Sequence, residues 1–178
     1  AGCANGGRHA RVAATRRGDK YDGVLAGAPA INLPKAAVQH AWDVQSWQMA
    51  DPDIRKAFSP SDMALVGKQV LAKCDALDGL ADGLVQDVEA CQRTFSFAND
   101  VPTCTGERNG QCLSAAQKDV VANVFAGGRT TSGQAIYSAF PLDPGLAGDN
   151  WATWKFANSV ALDPLAVGTV FSVPPGMF

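Results

Sequence analysis

The first seven residues constrain the backbone more tightly than any other part of the chain. Residues 2–6 (GCANG) match the pattern G-x-S-x-G at every fixed position except the serine, and Gly7 follows directly. In that pattern the central residue occupies a strained turn between a strand and a helix, so its neighbours must be small. The sequence therefore predicts a nucleophile elbow. An ordinary glycine turn is the alternative that these residues alone leave open.

Ala4 stands where such an elbow carries its nucleophile. In an elbow the central side chain points into the site, and the next backbone N–H, here that of Asn5, faces the oxyanion. An alanine methyl has no lone pair to attack a carbonyl carbon and no proton to give to a histidine. We therefore expect the chain to be catalytically silent. His9 and His40 are poor general-base candidates, because the histidine of such a site comes after the acid, late in the chain.

Apolar periodicity predicts an α/β segment followed by a helical one. A helix over residues 6–17 precedes an apolar run over residues 21–30, which we expect to be a buried strand. Pro34 can open the next helix, in which Val38, Ala41, Trp42 and Met49 repeat as an apolar stripe. This change of character indicates a domain boundary between residues 33 and 34.

Two later helices begin with clear capping patterns. Ser59 has the pattern of a helix N-cap, with Pro60 in the first turn and an acid, Asp62, at the third helical position. This pattern predicts a helix that ends near Lys73. Ser114 and Gln117 form a capping-box pattern, and the glycines at 127–128 predict the end of that helix. Residues 129–178 show no sustained period, which is typical of loops and short elements.

Composition offers no sign of a nucleic-acid or membrane partner. The 178 residues carry a formal net charge of −2, the pI is about 5.6, and no basic run occurs. No stretch approaches the roughly 20 consecutive apolar residues of a membrane helix. We therefore expect neither nucleic acid nor a membrane span. Because the single α/β step leaves apolar faces without partners, we also expect further protein on both sides of this segment.

The cysteines indicate an oxidising compartment. Disulfides persist in secreted, periplasmic and cell-surface proteins, and five cysteines are many for this length. Zinc is the alternative, but the chain has no C-x-x-C pair and both histidines lie far from the cysteine cluster in sequence. Four cysteines lie in that cluster: Cys74, Cys91, Cys104 and Cys112. The odd number leaves one unpaired, which we expect to be Cys3.

An acidic, glycine-containing loop follows Cys74. Asp75, Asp78 and Asp82 lie within eight residues, and the last two each precede a glycine. Calcium takes six to eight oxygen ligands, and glycines let a loop curl so that carboxylates and carbonyls point inward. The spacing does not fit an EF-hand. A calcium loop and a pair of solvated Asp-Gly turns are the two interpretations left open.

Several of these segments together resemble one family. Residues 2–10 (GCANGGRHA), 21–30 (YDGVLAGAPA) and 31–45 (INLPKAAVQHAWDVQ) are similar, in this order, to segments of the tannase and feruloyl esterase family. Its elbow reads G-C-S-x-G-G-R and is followed by Y-D-G-[IV]-x-A-G-x-P. The resemblance extends through the cysteine segment to about Trp154.

The resemblance implies an α/β fold and an esterase activity. Residues 1–33 would be a fragment of an α/β-hydrolase core, with the elbow, a helix and one strand, and residues 34–178 a mostly helical, loop-rich lid domain. The intact protein would be a serine carboxylic-ester hydrolase for feruloyl, galloyl or terephthalate-like aromatic esters. Ala4 would occupy the nucleophile position, and Asn5 would supply an oxyanion-hole N–H. Ala4 would then be a laboratory substitution that inactivates the enzyme. A natural non-catalytic relative that binds aromatic esters and a calcium-stabilised module are the alternatives.

The resemblance also implies a structural calcium ion. Its ligands would be the carboxylates of Asp75, Asp78 and Asp82 and the carbonyl oxygens of Leu80 and Leu84.

The same resemblance implies the cysteine pairing. Cys74 would pair with Cys91 and Cys104 with Cys112. Cys3 would be paired outside this segment, with a cysteine beside the catalytic histidine, so that the catalytic acid and histidine would follow the lid.

Aromatic residues in the predicted lid are candidates for stacking on a phenolic ring. Packing in the lid core is the alternative that we favour for each of them. These residues are Trp42, Trp47, Trp151, Trp154 and Phe156.

Overall fold

The structure, a computed structural model, describes residues 1–170 and 172–176. The chain divides into two compact units, Ala1–Ala36 and the remainder from Ala37 onwards. The division lies three residues beyond the sequence-based boundary. The assignment of the two parts to a hydrolase core and a lid remains a prediction.

The first unit contains two short parallel strands and one helix. Strand β1 (Gly2–Cys3) pairs with β2 (Ala26–Gly27), and helix α1 (Asn5–Arg17) connects them through a 3-10 turn at Gly18–Lys20. The helix was predicted almost to the residue, but the strand predicted over residues 21–30 is much shorter. Because β1 offers only two residues for pairing, only two residues of the apolar run form a ladder.

The second unit is helical. Its secondary structure consists of α2 (Leu33–Gln48, shared with the first unit), α3 (Ile54–Ala57), α4 (Pro60–Cys74), a 3-10 turn (Asp75–Asp78), α5 (Val88–Thr94), α6 (Phe97–Asp100), α7 (Ala115–Ala126), a 3-10 turn (Pro144–Ala147), α8 (Asp149–Thr153), a π-helical turn (Trp154–Asn158), α9 (Ser159–Ala161) and α10 (Asp163–Thr169). The short elements after residue 129 agree with the absence of a sustained period there. No helix among the described residues is long and apolar enough to cross a membrane.

The two predicted capping patterns are both formed. At α4 the Ser59 hydroxyl accepts from the Asp62 N–H, and the Asp62 carboxylate accepts from the Ser59 N–H. At α7 Ser114 and Gln117 make the same reciprocal pair. Each box satisfies two N–H groups that the first turn of a helix leaves without partners, so the sequence determines where these helices begin.

The buried face of α2 differs from the predicted stripe. Val38 and Met49 are exposed, whereas Gln39, Asp43 and Trp47 are buried. The prediction was wrong here because it counted apolar residues only, and two of the buried positions are polar. Their hydrogen bonds offset the loss of hydration that would otherwise exclude them from the interior.

Aromatic rings fill the centre of the second unit. Trp47 is completely buried, and its ring packs edge-on against Phe58 with a centroid distance of 5.2 Å. Phe156 and Trp151 pack on the same indole at 5.1 and 6.4 Å. For Trp47, Trp151 and Phe156 the core interpretation is therefore confirmed. Trp42 is half-buried and donates to the Asn123 carbonyl.

Two disulfides cross-link the second unit. Cys74 is bonded to Cys91 and Cys104 to Cys112, the pairing implied by the family resemblance. Cys3 has no partner within the described residues and is exposed.

Candidate functional site

The backbone of Ala4 has the geometry expected at the centre of an elbow. Ala4 lies between β1 and α1 with φ 52° and ψ −117°, a conformation that non-glycine residues rarely adopt. Its N–H donates to the Gly27 carbonyl at 3.2 Å, and its carbonyl accepts from the N–H groups of Arg8 and Ala30 at 3.0 and 3.2 Å. These hydrogen bonds on both sides of the residue hold the strained turn in place.

Two of the glycines near Ala4, Gly2 and Gly7, are required by close backbone contacts. A Cβ atom on Gly2 would lie 2.3 Å from the Gly6 carbonyl oxygen. A Cβ atom on Gly7 would lie 2.4 Å from the Gly27 carbonyl oxygen, where α1 crosses β2. The glycine spacing therefore reflects the packing of a sharp strand-to-helix turn, which a loose glycine loop would not need.

The first turn of α1 offers N–H groups beside Ala4. Asn5 is the first residue of the helix, so its N–H has no acceptor within the helix, and the helix dipole makes this end electropositive. Ala4 and Asn5 are both exposed. An N–H in this position could stabilise negative charge that develops on a bound carbonyl oxygen.

The two histidines, His9 and His40, lie in different units of the chain. His9 lies exposed on α1, five residues after Ala4. His40 belongs to the second unit, where its Nδ1 lies 2.7 Å from a carboxylate oxygen of Asp163.

The acidic loop curls back on its first carboxylate. Asp75 Oδ1 accepts from the N–H groups of Asp82 and Gly83, at 3.1 and 3.0 Å. Gly79 and Gly83 have φ of 97° and 83°, a left-handed conformation that glycine adopts without steric cost. The glycines thus allow the turns that bring the backbone of Asp82 and Gly83 to the Asp75 carboxylate.

The other two acids also hold the loop backbone. Asp78 accepts from the N–H groups of Leu80 and Gln86, and Asp82 Oδ1 accepts from that of Leu84, at 3.0 to 3.1 Å. No Lys or Arg in the described part of the chain forms an ion pair with any of the three loop acids.

The donor set fits a hard cation in its chemistry. Three carboxylates without a cationic partner in one curled loop match what calcium binds, and the carbonyls of Leu80 and Leu84 lie in the same loop. Within residues 1–170 and 172–176, however, no three His, Cys, Asp or Glu side chains converge as a metal-binding group. The carboxylates of Asp75, Asp78 and Asp82 instead accept backbone N–H groups, and calcium remains a prediction.

Trp154 is the most exposed of the aromatic residues considered for ring stacking. It is 55% exposed and lines a cleft with Phe140, Pro141 and Trp151. It begins the π-helical turn, whose wider coil places both Lys155 and Phe156 toward the interior. The turn therefore leaves the Trp154 ring at the surface beside two partly buried neighbours.

A buried polar network joins α2 to this turn, and sequence reasoning missed it. Lys155 Nζ lies 2.6 Å from Asp43 Oδ2, and Gln39 donates to Asp43 Oδ1 at 2.7 Å. Gln39 also accepts from the Gly128 N–H, and the ammonium lies 3.8 Å from the centre of the Phe140 ring. Burial raises the pKa of the Asp43 carboxyl, although the Lys155 charge opposes this shift. The sequence offered one indication of this network, an acid that lies between two tryptophans on α2.

Comparison with known protein families gives a clear match. The family model described as "Tannase and feruloyl esterase" matches residues 1–168. The chain is 35% identical over 175 residues to a mono(2-hydroxyethyl) terephthalate hydrolase of Piscinibacter sakaiensis, an alignment that covers 86% of this chain and 29% of the relative. It is 32% identical over 137 residues to a probable feruloyl esterase B-1 of Aspergillus fumigatus, which covers 76% and 25%.

Solved structures show the same fold. Feruloyl esterase B from Aspergillus oryzae superposes with a TM-score of 0.71 at 25% identity, over 96% of this chain and 33% of that one. Tannin acyl hydrolase from Aspergillus niger superposes with a TM-score of 0.63 at 22% identity, over 92% and 32%. The chain thus spans about a quarter to a third of the length of the relatives that it matches.

Proposed function

Because the chain belongs to the tannase and feruloyl esterase family, we propose that the intact protein has the architecture of a serine carboxylic-ester hydrolase, with Ala4 in the nucleophile position. The observation that supports this most directly is the positive φ of Ala4 between β1 and α1. A residue without functional constraint at that point would be expected to relax or to be glycine.

The proposed roles at the elbow follow from the groups present. In an active elbow a serine hydroxyl attacks the ester carbonyl, and the Asn5 N–H stabilises the oxyanion that forms. With Ala4 no covalent acyl-enzyme can form, so the protein with Ala4 would not cleave an ester by this route. The catalytic acid and histidine, and a partner for Cys3, would come from chain outside this segment.

The substrate class proposed is an aromatic ester. Relatives are described as a mono(2-hydroxyethyl) terephthalate hydrolase and as probable feruloyl esterases. Both kinds of ester carry an aromatic ring conjugated with the ester carbonyl, directly in a terephthalate and through a double bond in a ferulate. Trp154 would offer an exposed face for such a ring.

Restoring the hydroxyl tests the catalytic proposal. In the intact protein we expect Ala4→Ser to raise the hydrolysis rate of a methyl hydroxycinnamate or gallate by on the order of 10³-fold or more, since loss of a nucleophile typically costs more than that. Ala4→Gly is the matched control, because it alters the same backbone position without adding a hydroxyl. A folded Ala4→Ser protein with no activity above this control would exclude the hydrolase proposal.

A non-catalytic binding protein is the second candidate, which Ala4 itself favours. It predicts that the protein with Ala4 binds an aromatic ester, and that Ala4→Ser changes neither the affinity nor the turnover. Calorimetric titration with methyl ferulate, together with the hydrolysis assay, separates the two candidates.

We also propose that the second unit is the lid and that its acidic loop binds a structural calcium ion. Asp75, Asp78 and Asp82 would provide carboxylate ligands, and Leu80 and Leu84 carbonyl ligands. The support is the curled backbone and the absence of a cationic partner for these acids among the described residues. The ion would reduce the mutual repulsion of the three carboxylates and stiffen the loop that follows Cys74.

Chelation tests the calcium proposal. We expect removal of calcium to lower the Tm of the intact protein, and Asp78→Asn to lower the Tm in calcium and reduce its dependence on chelator. Asp119→Asn, a change at an exposed acid on α7, serves as the control. A Tm that is unchanged by chelation would refute this proposal without bearing on the esterase proposal.

The two disulfides support a location in an oxidising compartment, so we propose that the protein is secreted, periplasmic or attached to the cell surface.

A further inference from the structure

The loop closed by the Cys104–Cys112 disulfide brings a cation to a buried acid. The Cys104 N–H donates to the Leu113 carbonyl at 2.9 Å, and the Leu113 N–H donates to the Pro102 carbonyl at 3.0 Å, which closes the base of the loop. From this loop Arg108 reaches Asp62, with 2.7 Å between Nη2 and Oδ2.

Because Asp62 is buried, its negative charge needs the nearby Arg108 guanidinium more than the charge of an exposed acid would. It is 1% exposed, and no other Lys or Arg in the described part of the chain lies within ion-pair distance of it. The same carboxylate forms the capping box of α4 by accepting from the Ser59 N–H at 2.9 Å. Gln117 of the second capping box also points at Asp62 Oδ2, at 3.4 Å, while donating to the Ala57 carbonyl at 2.8 Å. The carboxylate therefore links both helix starts.

We propose that the Cys104–Cys112 disulfide is a reducible clamp, which holds Arg108 against Asp62 and thereby fixes the start of α4. The disulfide keeps the Arg108 loop short and closed. When it is opened, Arg108 can move into solvent and leave the Asp62 carboxylate buried without its counterion, a state that is strongly disfavoured.

The two disulfides differ in access to a reductant. Cys74 and Cys91 are 1% and 0% exposed, and both are enclosed by the core. Cys104 and Cys112 are half-buried in a loop whose other residues are mostly exposed. A thiol reagent should therefore reduce the Cys104–Cys112 disulfide before it reduces the Cys74–Cys91 disulfide.

The reductant required is an external dithiol. One of its thiolates attacks a sulfur of the Cys104–Cys112 bond and forms a mixed disulfide, releasing the other cysteine as a thiolate, which takes up a proton. The second thiol of the reagent then displaces the remaining cysteine and closes the reagent as an oxidised disulfide. The protein gains two electrons and two protons, and the dithiol loses the same number.

Reduction of the Cys104–Cys112 disulfide should affect the two ends of α4 differently. The helix runs from the clamp at Asp62 to Cys74, where the core disulfide and the acidic loop begin. Selective reduction would loosen the first turn of α4, while Cys74–Cys91 still fixes its last turn.

Mild titration of the full chain with dithiothreitol, followed by alkylation and mass spectrometry, tests the order of reduction. We expect Cys104 and Cys112 to be alkylated at dithiothreitol concentrations that leave Cys74 and Cys91 bonded. Simultaneous reduction of both disulfides would overturn the proposal.

The role of Arg108 is tested by comparing oxidised and selectively reduced protein. Loss of a charge-assisted hydrogen bond to a buried carboxylate should lower the Tm of the oxidised Arg108→Met variant by about 4–8 °C. In the reduced protein the same substitution should have less than about a third of that effect, because the loop has already released the guanidinium. Arg108→Lys keeps the charge and should recover part of the loss, and Glu107→Gln in the same loop should leave the Tm unchanged.

Equal effects of Arg108→Met in oxidised and reduced protein would overturn the clamp. Amide hydrogen exchange at Met63, whose N–H donates to the Ser59 carbonyl, provides a local measurement. It should accelerate in both Arg108→Met and Cys104→Ser/Cys112→Ser. A cysteine double variant that fails to fold, alongside a stable Arg108→Met variant, would also refute the proposal, because the disulfide would then act through something other than Arg108.

Discussion

The buried Asp43–Lys155 ion pair provides the strongest test of the packing of the second unit. Asp43 is completely buried, the Lys155 side chain is 11% exposed, and Nζ and Oδ2 lie 2.6 Å apart. Removing one partner of a buried pair costs about 3–5 kcal/mol, because the other charge stays behind without compensation. In a chain of this size each kcal/mol lowers the Tm by about 2–4 °C, so we expect Lys155→Met to lower the Tm by roughly 10 °C.

The double variant Asp43→Leu/Lys155→Met separates burial of a charge from loss of packing. Replacing both partners by apolar residues removes the uncompensated charge, so the double variant should be more stable than the single variant Lys155→Met. The control is Lys56→Met, which removes an exposed partner of Asp53 and should shift the Tm by less than about 2 °C. Thermal unfolding followed by circular dichroism measures all three variants.

The pH dependence of Lys155→Met provides a second measurement. The pKa of Asp43 is raised in the folded protein, so the folded state holds the proton more tightly than the unfolded chain, whose aspartate titrates near 3.8. Protonation of Asp43 therefore adds to the free energy of unfolding below pH 3.8, and this contribution is lost as the pH rises through the folded-state pKa. Without Lys155 the pKa rises further, so the Tm should fall over a wider pH range than in the parent protein. A Lys155→Met variant as stable as Lys56→Met at neutral pH, or with the parent pH profile, would refute the reasoning.

Three further predictions concern the elbow, a helix cap and the proposed ring-binding residue. Gly2→Ala should destabilise the elbow by about 3 kcal/mol, because the new Cβ would overlap the Gly6 carbonyl. Amide hydrogen exchange at Ala30, whose N–H donates to the Ala4 carbonyl, should then accelerate. Gly6→Ala is the matched control, because a Cβ at that position meets no atom within 4 Å. Ser114→Ala should lower the Tm by about 2–4 °C through loss of roughly 1 kcal/mol of capping, whereas Ser114→Thr should retain most of it. If the proposed function is correct, Trp154→Ala should weaken binding of methyl ferulate by about fivefold to tenfold with little change in Tm, while Met49→Ala, another exposed apolar residue, should alter neither.

Local features of the protein could be predicted because their causes are local. Ser59 and Ser114 define helix starts through hydrogen bonds to residues only three positions away, so four consecutive residues are enough to predict each start. The elbow is equally local, because Gly2 and Gly6 approach each other within five residues. The same letters led to the family, which the comparisons confirmed over residues 1–168.

The strand and the buried face of α2 could not be predicted in this way. How much of residues 21–30 forms a ladder depends on the length of the neighbouring strand, which the run itself does not contain. An aspartate such as Asp43 is usually a surface residue, and the cation that compensates its burial, Lys155, lies 112 positions away.

The sequence by itself determined the turn at Ala4, the helix caps and the family, because each rests on bond geometry or hydrogen bonds between near neighbours. The tertiary structure alone decided which polar side chains are buried and which of the aromatic residues considered for ring stacking remains at the surface. Arg108 reaches Asp62 across 46 positions, and the π-helical turn that exposes Trp154 also places Lys155 beside Asp43. Such pairs form only after folding has brought distant segments together, and the low dielectric of the interior then makes each of them necessary.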